Sequence, residues 1–176
     1  MSAKVRVAIA ALSLSAVGFV AIISREGYSS TAYPDPVLGT KVPTIGFGST
    51  DNVKMGDTIT PVGAVQRTHR EVGVYERGVK GCVSVDLAQH EFDAYVELAH
   101  NTGVKNFCQS KDGGPSAIAR RLQAQQYDAA CDAILLYKYS GGVDCSAPGN
   151  RTCSGLWKDR LRLHAMCKGP AQGQGR

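Results

Sequence analysis

Arg25-Glu26-Gly27-Tyr28, then Ala32-Tyr33-Pro34-Asp35-Pro36-Val37, then Pro43-Thr44-Ile45-Gly46-Phe47-Gly48: these three strings, in this order, decide how the chain is read. The stretch from Tyr28 to Thr50 is rich in Gly, Pro, Thr and Tyr, with Gly39, Pro43, Gly46 and Gly48 as punctuation. That pattern predicts short strands and turns, a small β element whose apolar side carries Val42, Ile45 and Phe47.

Two carboxylates stand out in it. Glu26 follows an apolar stretch, and Asp35 lies nine residues on in a Tyr-Pro-Asp-Pro turn. Spacing alone reads them as surface charges. Their surroundings fit glycoside hydrolysis, which needs one protonated carboxyl to protonate the leaving oxygen and one ionised carboxylate. Burial against an apolar helix end would keep Glu26 protonated, and a solvated turn would keep Asp35 ionised.

Upstream, Val7 to Ser24 is a run of 18 uncharged residues preceded by Lys4 and Arg6. The length reaches the lower limit for a membrane-spanning helix, and the basic flank places the N-terminus on the cytoplasmic side. The run is rich in Ala, Gly and Ser, so such a helix could leave a bilayer at modest cost. A cleaved signal peptide and a buried first helix are the rival readings. The releasable anchor is preferred. No small-x-small cleavage site follows Ile23, and cleavage there would strip the turn supporting Glu26.

Downstream the signals are helical. Thr60-Pro61 is an N-cap and N1 pair, and Val62, Val65, Val72, Tyr75 and Val79 recur at helical spacing up to Gly81. Ala88, Phe92, Tyr95, Val96 and Ala99 predict a second helix stopping near Gly103. Ile118 and Leu122 predict a third after Pro115, Ala129 to Tyr137 a fourth ended by Gly141 and Gly142, and Trp157, Leu161 and Ala165 a last one. The Gly/Gln-rich tail from Gly169 to Arg176 is expected to be flexible.

Composition bounds the class. The 176 residues fit one domain plus a short extension, and 43% hydrophobic content supports a packed core. Twenty Lys and Arg against 15 Asp and Glu give a net charge of +5, which suits an anionic partner without choosing one. No run of five like charges suggests a nucleic-acid tail. The six cysteines, Cys82, Cys108, Cys131, Cys145, Cys153 and Cys167, show no zinc-like spacing and point to disulfides in an oxidising compartment. His69, His90, His100 and His164 are scattered, so no metal and no cofactor is expected.

The three opening strings resemble the active-site segment of the phage-type lysozymes, glycoside hydrolase family 24. That family has a Glu-Gly ending its first helix, an Asp in a Tyr-x-Asp turn and a Thr in Thr-Ile-Gly-x-Gly. Further on, His100-Asn101-Thr102-Gly103 is similar to its Asn-x-Gly. Asn106-Phe107-Cys108-Gln109-Ser110 is similar to a Phe-x-x-Ser opening the next helix, and Gly155-Leu156 with Lys158-Asp159-Arg160 to Gly-Leu-x-x-Arg-Arg. The chain departs from the pattern with a longer stretch from Asp35 to Thr44, with Ser49 where His is frequent, and with Asp159-Arg160 in place of two arginines.

The resemblance implies an α+β, lysozyme-like fold: a small β lobe, a larger helical lobe, an active-site cleft between them and an N-terminal apolar helix. The implied domains are an anchor over 1–24, a catalytic domain over 25–168 and a tail over 169–176. It implies a muramidase cutting peptidoglycan, with a lytic transglycosylase or a silent wall- or membrane-binding protein as alternatives. Glu26 would be the general acid, Asp35 the base or charge stabiliser, and Thr44 a positioner of water. Tyr28, Asn101 and Arg160 would bind substrate, Arg160 being also the candidate partner of Glu26.

On that fold, Cys145–Cys153 closes a short loop, Cys82 and Cys108 precede neighbouring helices, and Cys131 and Cys167 remain to pair. The N-terminal run resembles signal-arrest-release anchors, implying a monomer tethered to the inner membrane and then freed into the periplasm. With no cysteine in the run, any block before release would be topological, because Glu26 lies two residues beyond it.

Overall fold

A computed structural model describes residues 5–35 and 39–169. Pro36 and Val37 of the predicted turn, and the tail beyond Gly169, lie outside the described residues. Contacts divide the chain into two compact units: Ser15 to Val74, and the residues up to Leu14 together with Tyr75 onward.

The first unit opens with α1 (Ala16–Glu26), N-capped by Ser15, whose hydroxyl accepts from the Gly18 N–H at 3.0 Å. Gly27, at φ +70°, ends it. Strands β1 (Ser29–Asp35) and β2 (Gly39–Gly46) form an antiparallel hairpin, with Ser29 opposite Gly46, Tyr33 opposite Thr44 and Asp35 opposite Gly39. Its small core is Ala32, Ile45 and Val53, with Ile59 packed alongside. Helix α2 (Pro61–Cys82) starts as Thr60-Pro61 predicts: the Thr60 hydroxyl accepts from the Gly63 N–H at 3.1 Å.

The second unit is built on α3 (Gln89–Thr102), buried at every position from Glu91 to Ala99. A helix buried all round needs partners on all sides. The unit's other helices, α4 (Val104–Cys108), α5 (Ala117–Gln123), α6 (Tyr127–Asp132) and α7 (Ser154–Lys168), bury Phe107, Ile118, Leu122, Ala130 and Leu163, with Ile134 buried just beyond α6, and the Phe107 ring packs 5.8 Å from that of Tyr95 in α3. A two-residue hairpin of β3 (Tyr139–Ser140) and β4 (Val143–Asp144) precedes α7. The bonds Cys82–Cys108, Cys131–Cys167 and Cys145–Cys153 tie α2 to α4, tie α6 to α7 and close the loop before α7. Each contributes about 2–4 kcal/mol.

Several expectations are corrected. Val7 to Ser24 is not one helix. A 3₁₀ turn at Ile9–Ala11 gives way to extended backbone at Leu12 and Ser15 before α1 begins. The break has a cause within the second unit. Main-chain groups of Ser13 and Leu14 are taken by side chains: the Gln89 amide donates to the Ser13 carbonyl at 2.8 Å, and the Leu14 N–H donates to Glu76 at 2.8 Å. The eleven residues of α1 span about 16 Å, and no helix among the described residues is long and apolar enough to cross a membrane. The fourth predicted helix is α6 followed by a 3₁₀ turn at Ala133–Leu136. Phe107 lies in α4 and Ser110 beyond its end; the next helix, α5, is capped instead by Ser116, whose hydroxyl accepts from the Ala119 N–H at 3.1 Å.

Gly78 lets α2 approach α4. A Cβ there would collide with the Val104 methyls. Gly78→Ala is expected to lower stability by about 1–3 kcal/mol through overpacking, measured by urea unfolding. Adding Val104→Ala should recover part of that loss, and failure to do so would contradict this packing.

Candidate active site

Glu26 is the last residue of α1, and the turn after β2 defines its surroundings. Ile45 and Ser49 exchange both main-chain hydrogen bonds, at 2.9 and 3.0 Å, folding Gly46-Phe47-Gly48 into a tight loop. Two of its residues must be glycine. Gly46 has φ +65°, and a Cβ there would sit 3.0 Å from the Ala64 Cβ. Gly48 has φ +80°, and a Cβ there would sit 3.0 Å from Oε2 of Glu26. The Glu26 carboxylate therefore lies over the Cα of Gly48, and the second glycine of Thr-Ile-Gly-x-Gly makes room for the carboxylate of Glu-Gly.

The expected burial of Glu26 does not occur. Its side chain is exposed, because α1 buries only Gly18 and Ile22 while Val17 and Val20 face solvent. Thr44 is buried, with its hydroxyl 3.4 Å from the Val42 carbonyl. The Tyr28 hydroxyl donates to the Ile59 carbonyl at 2.7 Å, and its ring packs 5.5 Å from that of Phe47. Asp35 closes β1. Ser49, the departure from the family pattern, is buried and donates to Glu71 at 2.6 Å; Arg67 donates to the other oxygen of Glu71 at 3.0 Å. This small polar chain holds the turn against α2, and spacing alone gave no sign of it.

Asn101 and Arg160 belong to the second unit and meet there. Arg160 is 2% exposed, and its guanidinium is fully directed. Nε donates to the Tyr137 carbonyl at 3.0 Å, one terminal nitrogen to Asp159 at 2.6 Å and the other to Asn101 Oδ1 at 2.5 Å. Asp159, the other departure, is thus the counter-charge that lets Arg160 be buried. It also accepts from Arg162 at 3.0 Å, and Arg162 donates to the buried Glu97.

Asn101 and Arg160 line a cavity of about 1230 Å³ within this unit, together with Lys105, Lys111, Tyr137 and Tyr139. The β3–β4 hairpin carrying Tyr139 is held by Asp144. Hydrogen bonding from Lys138, reinforced by Ser146, holds the Asp144 carboxyl down at about 2. No group of three or more potential metal ligands is found among the described residues. Two of the four histidines pack against rings, His69 on Phe19 and His100 on Tyr75.

A two-stranded hairpin with a glutamate at the preceding helix end, and a helical unit built round one buried helix, define a lysozyme-like α+β protein. A model of the phage lysozyme family matches residues 23–161, and the chain belongs to that family. It is 30% identical over 135 residues to an endolysin of Salmonella phage P22, covering 74% of this chain and 86% of that one. It is 39% identical over 94 residues to a SAR-endolysin of Pseudomonas phage phiKMV, covering 53% and 55%. A solved P22 lysozyme superposes with a TM-score of 0.71 at 29% identity, covering 89% and 99%. The chain is accordingly placed among the lysozymes, glycoside hydrolases.

Two outcomes follow. Gly48→Ala would force both the φ +80° backbone and the Glu26 carboxylate to shift. It should cost about 1–2 kcal/mol in stability and lower bacteriolytic activity at least tenfold with unchanged far-UV circular dichroism; unchanged activity would contradict the placement of Glu26. In an NMR titration, Asp144 should titrate near 2 rather than near its ordinary 3.8. Its folded value is depressed, so its contribution to hairpin stability is present above about 3.8 and is lost as pH falls through about 2. A midpoint near 4 would contradict the Lys138 and Ser146 contacts.

Proposed function

We propose that the chain is an endolysin muramidase that hydrolyses the β-1,4 bond between N-acetylmuramic acid and N-acetylglucosamine in peptidoglycan. One observation carries this reading: Glu26 ends α1 with its carboxylate over the Cα of Gly48, so the family's Glu-Gly and Thr-Ile-Gly-x-Gly strings meet in space. Glu26 is the general acid. Asp35 is the second carboxylate, acting as base on water or stabilising the oxocarbenium-like state. Thr44 positions that water, Tyr28 and Asn101 bind the saccharide, and the buried Arg160, expected from the resemblance to bind it too, instead holds Asn101 in place.

Residues 1–24 act as a releasable anchor and 25–168 as the catalytic domain, working as a monomer on peptidoglycan in the periplasm. Two facts support the tether. Val17 and Val20 of α1 are left exposed, so the apolar run is only partly spent on a core, through Ile9, Leu12 and Ile22. A SAR-endolysin is among the chain's relatives.

Turbidity of outer-membrane-permeabilised Gram-negative cells tests the chemistry. Wild type should clear them and Glu26→Gln should be slower by roughly 10²–10⁴-fold at equal stability; equal clearing would overturn the assignment. Fractionation tests the anchor. The chain should move from the inner-membrane fraction to the periplasm without a change in mass, whereas a shortened periplasmic chain would show a cleaved signal instead.

A further inference from the structure

The 1230 Å³ cavity of the second unit is one-sided in charge. Three cations line it, Lys105, Lys111 and Arg160, and among the described residues no Asp or Glu does. Elsewhere in this unit several cations are matched by the protein's own carboxylates: Arg6 by Glu91, Lys138 by Asp144, Arg162 by Glu97, Lys168 by Asp132. Arg160 is matched by Asp159. Lys105 and Lys111 make no ion pair among the described residues. The nearest acid in sequence, Asp112, is engaged by its own turn, accepting from the Ser110 hydroxyl and, at 3.3 Å, from the Gly114 N–H.

The two lysines stand on a fixed frame. Helix α4 is pinned by Asn106 donating to the Thr102 carbonyl at 2.8 Å, by the Tyr137 hydroxyl donating to the Asn106 carbonyl at 3.0 Å, and by the Cys82–Cys108 bond. The turn bearing Lys111 is closed by main-chain bonds between Ser110 and Gly114 at 2.8 Å and between Gly113 and Ser110 at 3.0 Å. Two unmatched ammonium groups on a pinned helix and a closed turn are a preorganised anion-recognition surface.

We propose that Lys105 and Lys111 read the free carboxylates of the peptide stems of peptidoglycan, so that this groove selects stem charge as well as glycan. This rests on the muramidase reading. The chemistry of the polymer favours the stems over the glycan as the lysines' partner. An N-acetylglucosamine carries no charge, and the lactyl carboxylate of a substituted N-acetylmuramic acid is consumed in the amide bond to its stem. The remaining anions are the carboxylates along and at the end of the stem. Exposed Leu136 and Tyr139, which also line the groove, offer apolar contact for its aliphatic parts.

The test compares native sacculi with sacculi whose carboxylates have been chemically amidated. Wild type should show a KM about 3–10-fold lower on native sacculi, and Lys105→Ala/Lys111→Ala should raise KM on native sacculi to the amidated value with kcat unchanged. Arg70→Ala/Arg77→Ala removes the same charge from exposed positions outside the groove and should keep the preference. The same comparison by co-sedimentation, in a Glu26→Gln background, reads binding without cleavage. A lysine-dependent preference for native sacculi in that assay supports the groove reading even if wild type cuts neither substrate, which would instead sink the muramidase reading. A preference unchanged by loss of the lysines, or equally reduced by loss of Arg70 and Arg77, overturns the proposal.

Discussion

The structure turns on a helix buried on every side that nevertheless carries three carboxylates. Glu91, Asp93 and Glu97 lie inside α3 at 3% exposure or less. A carboxylate cannot stay ionised there without a counter-charge or strong donors. Each therefore dictates where another part of the chain must go. Glu91 is gripped by Arg6 at 2.6 and 3.0 Å, and the guanidinium lies 3.6 Å over the Tyr127 ring. Asp93 takes the Gln89 amide at 2.8 Å, whose nitrogen also holds the Ser13 carbonyl. Glu97 draws in Arg162, and through Asp159 the pairing reaches Arg160 and then Asn101 at the far end of the same helix.

That constraint explains the fate of the N-terminal run. Its first half is not free to continue as a helix, because Arg6 is committed to Glu91 and Val7 exchanges main-chain bonds with Leu87 at 3.0 Å. The Lys80 ammonium takes the Leu12 carbonyl as well. Removing Arg6 would strand a carboxylate that is 1% exposed, a loss of up to about 3–5 kcal/mol for a fully buried pair, less here because Arg6 is 23% exposed. In the folded protein the apolar run is a strap and a short helix, an arrangement incompatible with the eighteen-residue span that the proposed anchor would require. The proposed anchor exploits that incompatibility.

What was legible in the sequence was local. The Thr60-Pro61 cap, the apolar face of α3 and the Gly-punctuated hairpin follow from backbone preferences and periodicity. The Glu-Gly, Tyr-x-Asp and Thr-Ile-Gly-x-Gly strings identified the family because glycines at φ +65° and +80° have few substitutes. The three disulfides agree with the helix adjacency the resemblance implied. Other features were not legible. The exposure of Glu26 depends on which face of α1 is covered, and a uniformly apolar run has no pattern to reveal it. The break at Leu12 to Ser15 depends on Glu76 and Gln89, more than sixty residues away. The β3–β4 hairpin has two residues per strand, too few for an alternation, and α4 is five residues long. The cationic groove gathers residues from 101 to 160, and no window of sequence contains it.

The central claim is that Glu26 and Asp35 carry out hydrolysis, with water as the nucleophile that ends the reaction. Mass analysis of the glycans released from purified sacculi tests it most directly. Reducing muramic-acid ends, each carrying the mass of one added water, are the predicted product. Anhydro-muramyl ends would mean that the sugar's own hydroxyl closes the reaction, and would contradict the account.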